Sequence, residues 1–256
     1  MNEPPRSPTA CGSLPPEGAA GRLGAARRRP ESPPRSPTAC GSLPPEGAAG
    51  RLGAARRQPE PPLCATGLWH DGWYRFARPL RSPNFGPRPA GADIDLIVLH
   101  SISLPPGQYG GDQVQQLFTN RLDWDAHPYF GSIRGLEVSA HFYVRRNGEL
   151  WQFVSCDDRA WHAGASSWRG RANCNDDSIG IELEGIEGGP FENAQYETLA
   201  SLCPAIAQRH AIRFIAGHQH IAPGRKEDPG AGFDWRLLRE QLGWDGAMFP
   251  PDTIGR

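Results

Sequence analysis

Pro4 to Arg28 reads PPRSPTACGSLPPEGAAGRLGAARR, and Pro33 to Arg57 repeats it letter for letter, 29 residues on. No other feature limits more firmly what this chain can fold into. Neither copy has an apolar face to bury, and two copies are too few to stack as a solenoid. Pro, Gly, Ala, Ser and Arg dominate, a composition that cannot offset the entropy of ordering. The expectation is a disordered tail over residues 1–62. It carries nine arginines against five glutamates, a local charge of +4. Such a tail is either a weak basic tether or a duplication without function. What remains is one domain with its own core, residues 63–248, and a short C-terminal tail, 249–256.

The totals narrow the function classes. Lys and Arg number 27 against 28 Asp and Glu, a net charge of −1, so no global basic field argues for nucleic acid. No apolar run approaches the ~20 residues of a membrane span. Met1-Asn2-Glu3-Pro4-Pro5 lacks the basic start and apolar core of an export signal. The chain is therefore expected in the cytoplasm, with no nucleic-acid or membrane partner, and a monomer is expected. None of the six cysteines has CxxC spacing, and Cys64, Cys156, Cys174 and Cys203 read as free thiols.

Within the domain, Leu68 to Trp73 reads as a packing arm, followed by a Pro-rich linker from Pro79 to Pro89. Ile94 to Leu99 is the first strong strand, apolar enough for burial on both faces, and it ends at His100. Asp112 is placed to cap a short helix reaching about Phe118. Ala140–Val144 and Leu150–Val154 flank Asn147-Gly148, the strongest short hairpin signal. Ser178 to Gly185 alternates, and the alternation puts Gly180, Glu182 and Glu184 on one face. Two carboxylates on a strand usually mark a solvated face; an inward Glu182 is costly unless it has a task. Asn193 reads as the cap of a helix to about Gln208, with a buried stripe at Tyr196, Leu199, Leu202, Cys203 and Ile206. Pro204 is expected to kink or break it. A buried strand at 212–216 and a last helix near 234–242 complete the domain. The hairpin excludes a purely parallel doubly wound sheet. It favours an α/β fold with a central mixed sheet flanked by helices.

The chemistry concentrates in His218 to Gly230. Two imidazoles, two carboxylates and a lysine share that stretch with two prolines and two glycines, which exclude a helix and disfavour a strand. It reads as a stiff loop that follows a strand delivering His218 and returns Lys226 and Asp228 to the same place. A surface turn is the plain alternative. His100 is likewise either a satisfied core residue or a ligand. Trp161-His162 either lines a sugar or peptide site or forms an aromatic corner. If His100, His218 and Asp228 meet, they make a three-ligand zinc site with one position left for water. Glu182 would then be the base, and Lys226 the cation that meets developing negative charge.

Taken together, several stretches resemble the N-acetylmuramoyl-L-alanine amidases. They are Val98 to Gly107, Asp123 to Phe130, Val138 to His141, Arg159 to Gly164, Cys174-Asn175-Asp176, Ser178 to Gly185 and the 218–230 loop, and they are most similar to the cytoplasmic branch that recycles cell wall. The resemblance covers about Leu68 to Leu242. It implies a mixed sheet packed by helices, shared with peptidoglycan recognition proteins. It implies Zn2+ on His100, His218 and Asp228, Glu182 as catalytic acid/base and Lys226 as transition-state stabiliser. Trp161, His162 and Arg171 fall in stretches that resemble the family's substrate groove. The substrate implied is a soluble anhydro-muropeptide, cut between N-acetylmuramic acid and L-alanine. Ser101, Asn173 and Gln219-His220 depart from the family pattern, and His220 is expected beside the site rather than on the metal. A non-catalytic peptidoglycan-binding module of the same fold is the alternative from another class. It typically lacks a ligand that is present here.

Overall fold

The computed structural model describes residues 67–253. The duplicated segment, and with it the expected disorder of 1–62, lies outside the described residues. The apolar runs form the centre of a six-stranded sheet. Its strands are β1 (Arg78–Pro79), β2 (Leu96–Ile102), β3 (Phe142–Val144), β4 (Leu150–Gln152), β5 (Ser178–Glu184) and β6 (Phe214–Gly217). They lie in the order β6-β2-β5-β3-β4-β1. β6, β2, β5 and β3 are mutually parallel. β4 returns antiparallel to β3, and β1 runs parallel to β4. The sheet is mixed, as the hairpin signal requires.

The hairpin turn differs in detail from a two-residue Asn-Gly turn. Only Gly148 takes a positive φ, +84°. Arg145 and Glu149 close the loop by a backbone hydrogen bond of 2.9 Å. A three-residue connection results, with glycine alone in the left-handed region.

The helices are α1 (Gln113–Phe118), α2 (Pro128–Ser132), α3 (Asn193–Arg209), α4 (His218–Ile221) and α5 (Trp235–Leu242). The cap of α3 is Glu192 rather than Asn193; its N–H donates to Gln195 Oε1 at 3.0 Å. Pro204 does not break the helix. Its missing N–H removes one hydrogen bond, while Leu199, Leu202, Cys203 and Ile206 are fully buried on either side and hold the chain in register. Asp112 occupies the cap position of α1 without a side-chain capping bond. Phe249, assigned by sequence to a C-terminal tail, is 3% exposed and packs with Trp235 in the main core. The arm near Trp69 does pack: its ring meets Tyr74 and Phe142, and Nε1 donates to Ala205 O at 3.2 Å.

Strand alternation sorts the core. Ile97, Leu99, Ile179, Ile181 and Leu183 point to one face and bury against α3 and α5. The opposite face carries two smaller apolar clusters. One gathers Leu117, Phe118, Tyr143 and Phe153; the other gathers Leu96, Val98, Ala216 and Ile221. Between them the strands present His100 and Glu182. Arg88 reaches into this face, donating to the carbonyls of Asn175, Asp176, Cys156 and Ser178 at 2.9–3.2 Å. Burial pulls its pKa down to about 10.

Candidate active site

Parallel pairing sets the site. Glu182 on β5 is in register with His100 on β2. Gly217, the last residue of β6, is in register with Leu99, so the next residue, His218, falls beside His100. His218, His100 and Glu182 therefore stand in a row near the carboxyl ends of three adjacent strands, where open α/β sheets place their ligands. Asp228 comes back to this row on the loop.

That loop is not loop throughout. Its first four residues form α4, because the first proline is Pro223 and nothing before it forbids a helical turn. Gln219 then clasps the return: its N–H donates to Asp228 O at 2.9 Å, and its Oε1 accepts from Gly230 N–H at 2.9 Å. His220 is engaged outside the group of His100, His218 and Asp228. Its Nδ1 accepts from Gly217 N–H at 2.8 Å, and its ring packs on Trp235.

His100 Nδ1 and His218 Nδ1 lie 3.0 Å apart, and each lies 3.2 Å from Asp228 Oδ2. All three residues are buried, and they form a group able to hold a metal ion. Burial first, then neighbouring His218, pushes His100 down to about 4. Burial alone would raise Asp228, but the imidazoles facing it outweigh burial and hold it far below the usual carboxylate range. A neutral imidazole beside an ionised carboxylate is the protonation that metal ligands need.

Glu182 Oε2 is buried and has no hydrogen-bond partner among the described residues. Burial, then the Asp228 carboxylate, pushes Glu182 well above the usual carboxylate range, opposed by Lys226. The face read from alternation is thus not solvated. Glu184, its companion, is 4% exposed and accepts from the N–H groups of Gly110 and Arg146.

His100, His218, Asp228, Glu182, Lys226, Trp161 and His162 all line one cavity of about 500 Å³. Its far wall is apolar, with Leu117, Tyr129 and Ile133. Ser101, next to His100 on β2, also borders the cavity, but its Oγ is buried without a partner among the described residues. Arg171 does not join them. Its guanidinium is bound to both oxygens of Asp95 and to Asp177. Asp95 precedes β2, five residues before His100, which is roughly 17 Å away at strand rise. The groove expectation for Arg171 therefore does not match its position. Asn173 is likewise occupied in its own turn, bonded to Arg159 and Asp176.

Sequence reasoning missed the supports behind His100 and His218. His218 Nε2 contacts Ala163 O at 3.0 Å, and His100 Nε2 contacts His162 Nδ1 at 3.0 Å. Gly180 was the available signal. A glycine inside a strand often marks a close approach, and here a Cβ would stand 2.5 Å from His162 Cγ.

A buried glutamate with a raised pKa, lining a ligand-sized cavity beside three clustered donor atoms, suits a hydrolase. Comparison with known proteins narrows the class. The N-acetylmuramoyl-L-alanine amidase pattern matches residues 90–231. The 1,6-anhydro-N-acetylmuramyl-L-alanine amidase AmpD of Citrobacter freundii is 48% identical over 174 residues, covering 67% of this chain and 93% of that one. AmpD of Escherichia coli strain K12 is 47% identical over 174 residues, covering 67% and 95%. A solved selenomethionine derivative of AmpD superposes with a TM-score of 0.67 at 48% identity, over 69% of this chain and 99% of that one. The chain belongs to the N-acetylmuramoyl-L-alanine amidase family, and it is an enzyme of that family. Among the described residues, no helix is long and apolar enough to cross a membrane.

Proposed function

We propose that this enzyme hydrolyses the amide joining the lactyl group of 1,6-anhydro-N-acetylmuramic acid to L-alanine in soluble muropeptides. It does so with zinc, as a monomer, in cytoplasmic peptidoglycan recycling. The observation that carries the reading is the triangle of donor atoms, with edges of 3.0, 3.2 and 3.2 Å. Around a tetrahedral zinc with bonds of about 2.0–2.1 Å, ligand atoms stand roughly 3.3 Å apart. The residues present fit that ion, and three protein ligands suit a hydrolytic rather than a structural role. His100, His218 and Asp228 would hold it. When bound, zinc supplies Lewis acidity and lowers the pKa of a water to about 7.

The remaining work belongs to side chains. Glu182 takes the proton of the attacking water at Oε2 and passes it to the departing nitrogen of L-alanine. Its raised pKa suits a group that must hold a proton between those steps. Lys226, on the same cavity wall, places its ammonium where negative charge grows on the carbonyl oxygen. Trp161 and the apolar wall receive the body of the substrate. The anhydro sugar comes from the named AmpD relatives.

Mass spectrometry of products from purified anhydro-muropeptide tests the proposal. The zinc-loaded enzyme is expected to release the anhydro sugar and a peptide with a free L-alanine amine. Matched non-anhydro muropeptide and insoluble sacculi complete the set. An intact lactyl amide in all three overturns the proposal. Equal kcat/KM on the two soluble forms, or efficient digestion of sacculi, removes the anhydro preference and leaves amide cleavage standing.

A further inference from the structure

The two imidazoles facing Asp228 are fixed from behind in different ways. His218 Nε2 lies 3.0 Å from Ala163 O. Arg225 Nη2 also lies 3.3 Å from His218 Nε2, but it donates to the same Ala163 carbonyl at 2.8 Å; the carbonyl only accepts, so the proton sits on Nε2 and the Nδ1 lone pair faces inward. His100 has an imidazole behind it, His162 Nδ1 at 3.0 Å, and two imidazoles can bond in either direction. The direction is decided further back. His162 Nε2 lies 3.2 Å from Ser178 Oγ. Ser178 Oγ donates its one proton to the carbonyl of Cys174. That hydroxyl must therefore accept from His162 Nε2–H. His162 is left with a lone pair on Nδ1, which accepts from His100 Nε2–H. His100 Nδ1 is then a lone pair aimed at His218 and Asp228. One arrangement of protons satisfies the whole chain.

We propose that His100, His162, Ser178 and the Cys174 carbonyl form a tautomer lock. In it His162 is a positioning residue that holds His100 ready to ligate through Nδ1. The lock rests on the zinc reading only for the identity of the ion. Three features support it. His100, His162, Ser178 and Cys174 are 1%, 9%, 0% and 1% exposed, so the chain of links lies almost wholly out of bulk water. The slot for the His162 ring exists because β5 carries Gly180 beneath it. Asn175 Oδ1 accepts from the N–H groups of His162 and Ala163, at 3.0 and 2.8 Å. One amide oxygen thus pins the peptide stretch that supplies the rear partners of both ligands.

Nitrogen-15 NMR of histidine-labelled full-length protein, with and without zinc near neutral pH, reads the tautomers directly. His162 is expected to carry its proton on Nε2 in both samples. A proton on Nδ1 overturns the lock, whether or not the protein takes up zinc. Variants then test its consequence. Ser178→Ala removes both the acceptor that gives the chain its direction and the hydroxyl donor to the Cys174 carbonyl. It is expected to weaken zinc binding by about 10–100-fold in chelator competition, and to lower the melting temperature of the metal-free protein as well, since a buried carbonyl and a buried N–H lose their partner. Ser178→Thr returns the hydroxyl and is expected to restore affinity. Unchanged zinc affinity in Ser178→Ala, or a loss that threonine fails to restore, overturns the proposal. A wild-type protein that takes up no zinc counts against the zinc reading instead, and the NMR result still decides the lock.

Discussion

On one face of the sheet, Ile97, Leu99, Ile179 and Ile181 meet α3 and α5 in a continuous apolar cluster; on the other, the same strands set His100, Glu182 and Glu184 between two small ones. The first face gains from every apolar area withdrawn from water, at roughly 25 cal/mol per Å². The second withdraws polar and charged groups, which is costly unless each finds a partner. Its order comes from directed hydrogen bonds: Gln219 to Asp228, Asn175 to His162, Ala163 to His218. Stability and chemistry are therefore largely separable across the thickness of one sheet.

That separation can be broken, or sharpened, by substitution. The largest effect is expected from the metal donors. Asp228→Ala, or chelation of the wild type, is expected to abolish turnover, with zinc reversing only the chelation. Full activity in verified metal-free protein ends the mechanism. Next, Glu182→Gln is expected to cost about 10²–10⁴-fold in kcat with zinc content unchanged; a loss below tenfold removes Glu182 from proton transfer. Lys226→Ala is expected to lower kcat by about 10²–10³-fold and leave zinc bound, and loss of the metal in that variant would assign Lys226 a structural part instead. On the other face, Leu199→Ala removes a fully buried side chain and is expected to cost about 2–5 kcal/mol of stability. Its kcat per folded molecule stays at the wild-type value if the faces are independent, and a matching fall in kcat shows that they are not.

The smallest effect concerns acid. Burial, with help from Arg209, holds His210 down to about 4, and burial holds His141 well below its ordinary value. The unfolded chain takes up these protons near pH ~6.5 and the folded chain does not. The stability they contribute is thus present above about 6.5 and is lost as pH falls toward 4. Glu182, with a raised pKa, works in the opposite direction, so the Glu182→Gln protein shows the histidine effect more cleanly. Its melting temperature is expected to fall by a few degrees between about pH 7 and about pH 5, and a rise over that interval refutes the assignment.

Much of this was legible in the residues. Apolar runs gave the central strands, because burial on both faces leaves no polar position to disguise them. The strand-end histidine and the Pro- and Gly-stiffened loop pointed to His100, His218 and Asp228. Features that depend on neighbours distant in sequence were not legible. Glu182 and Glu184 alternate like solvent-facing residues, and only the apolar clusters on either side make their face an interior. Arg171 sits in a suitable stretch, but Asp95 and Asp177 claim it. Pro204 carries a strong local signal that tertiary packing overrides. The support of His100 by His162 needs the register of β5 and its glycine, which no local pattern specifies.

Arg88 gives the polar face a further property. Its guanidinium holds carbonyls from Cys156, Asn175, Asp176 and Ser178, between 68 and 90 residues along the chain. No one of those segments can satisfy it alone, and a buried cation with half its acceptors gone is worse placed than one in water. It acts as the keystone of an arch. The strand that carries Glu182, the turn that carries Asn175 and the approach to the hairpin's far side rise or collapse with it. Local opening on this face is therefore cooperative rather than piecemeal, so His100, His218 and Asp228 meet either a finished surround or none.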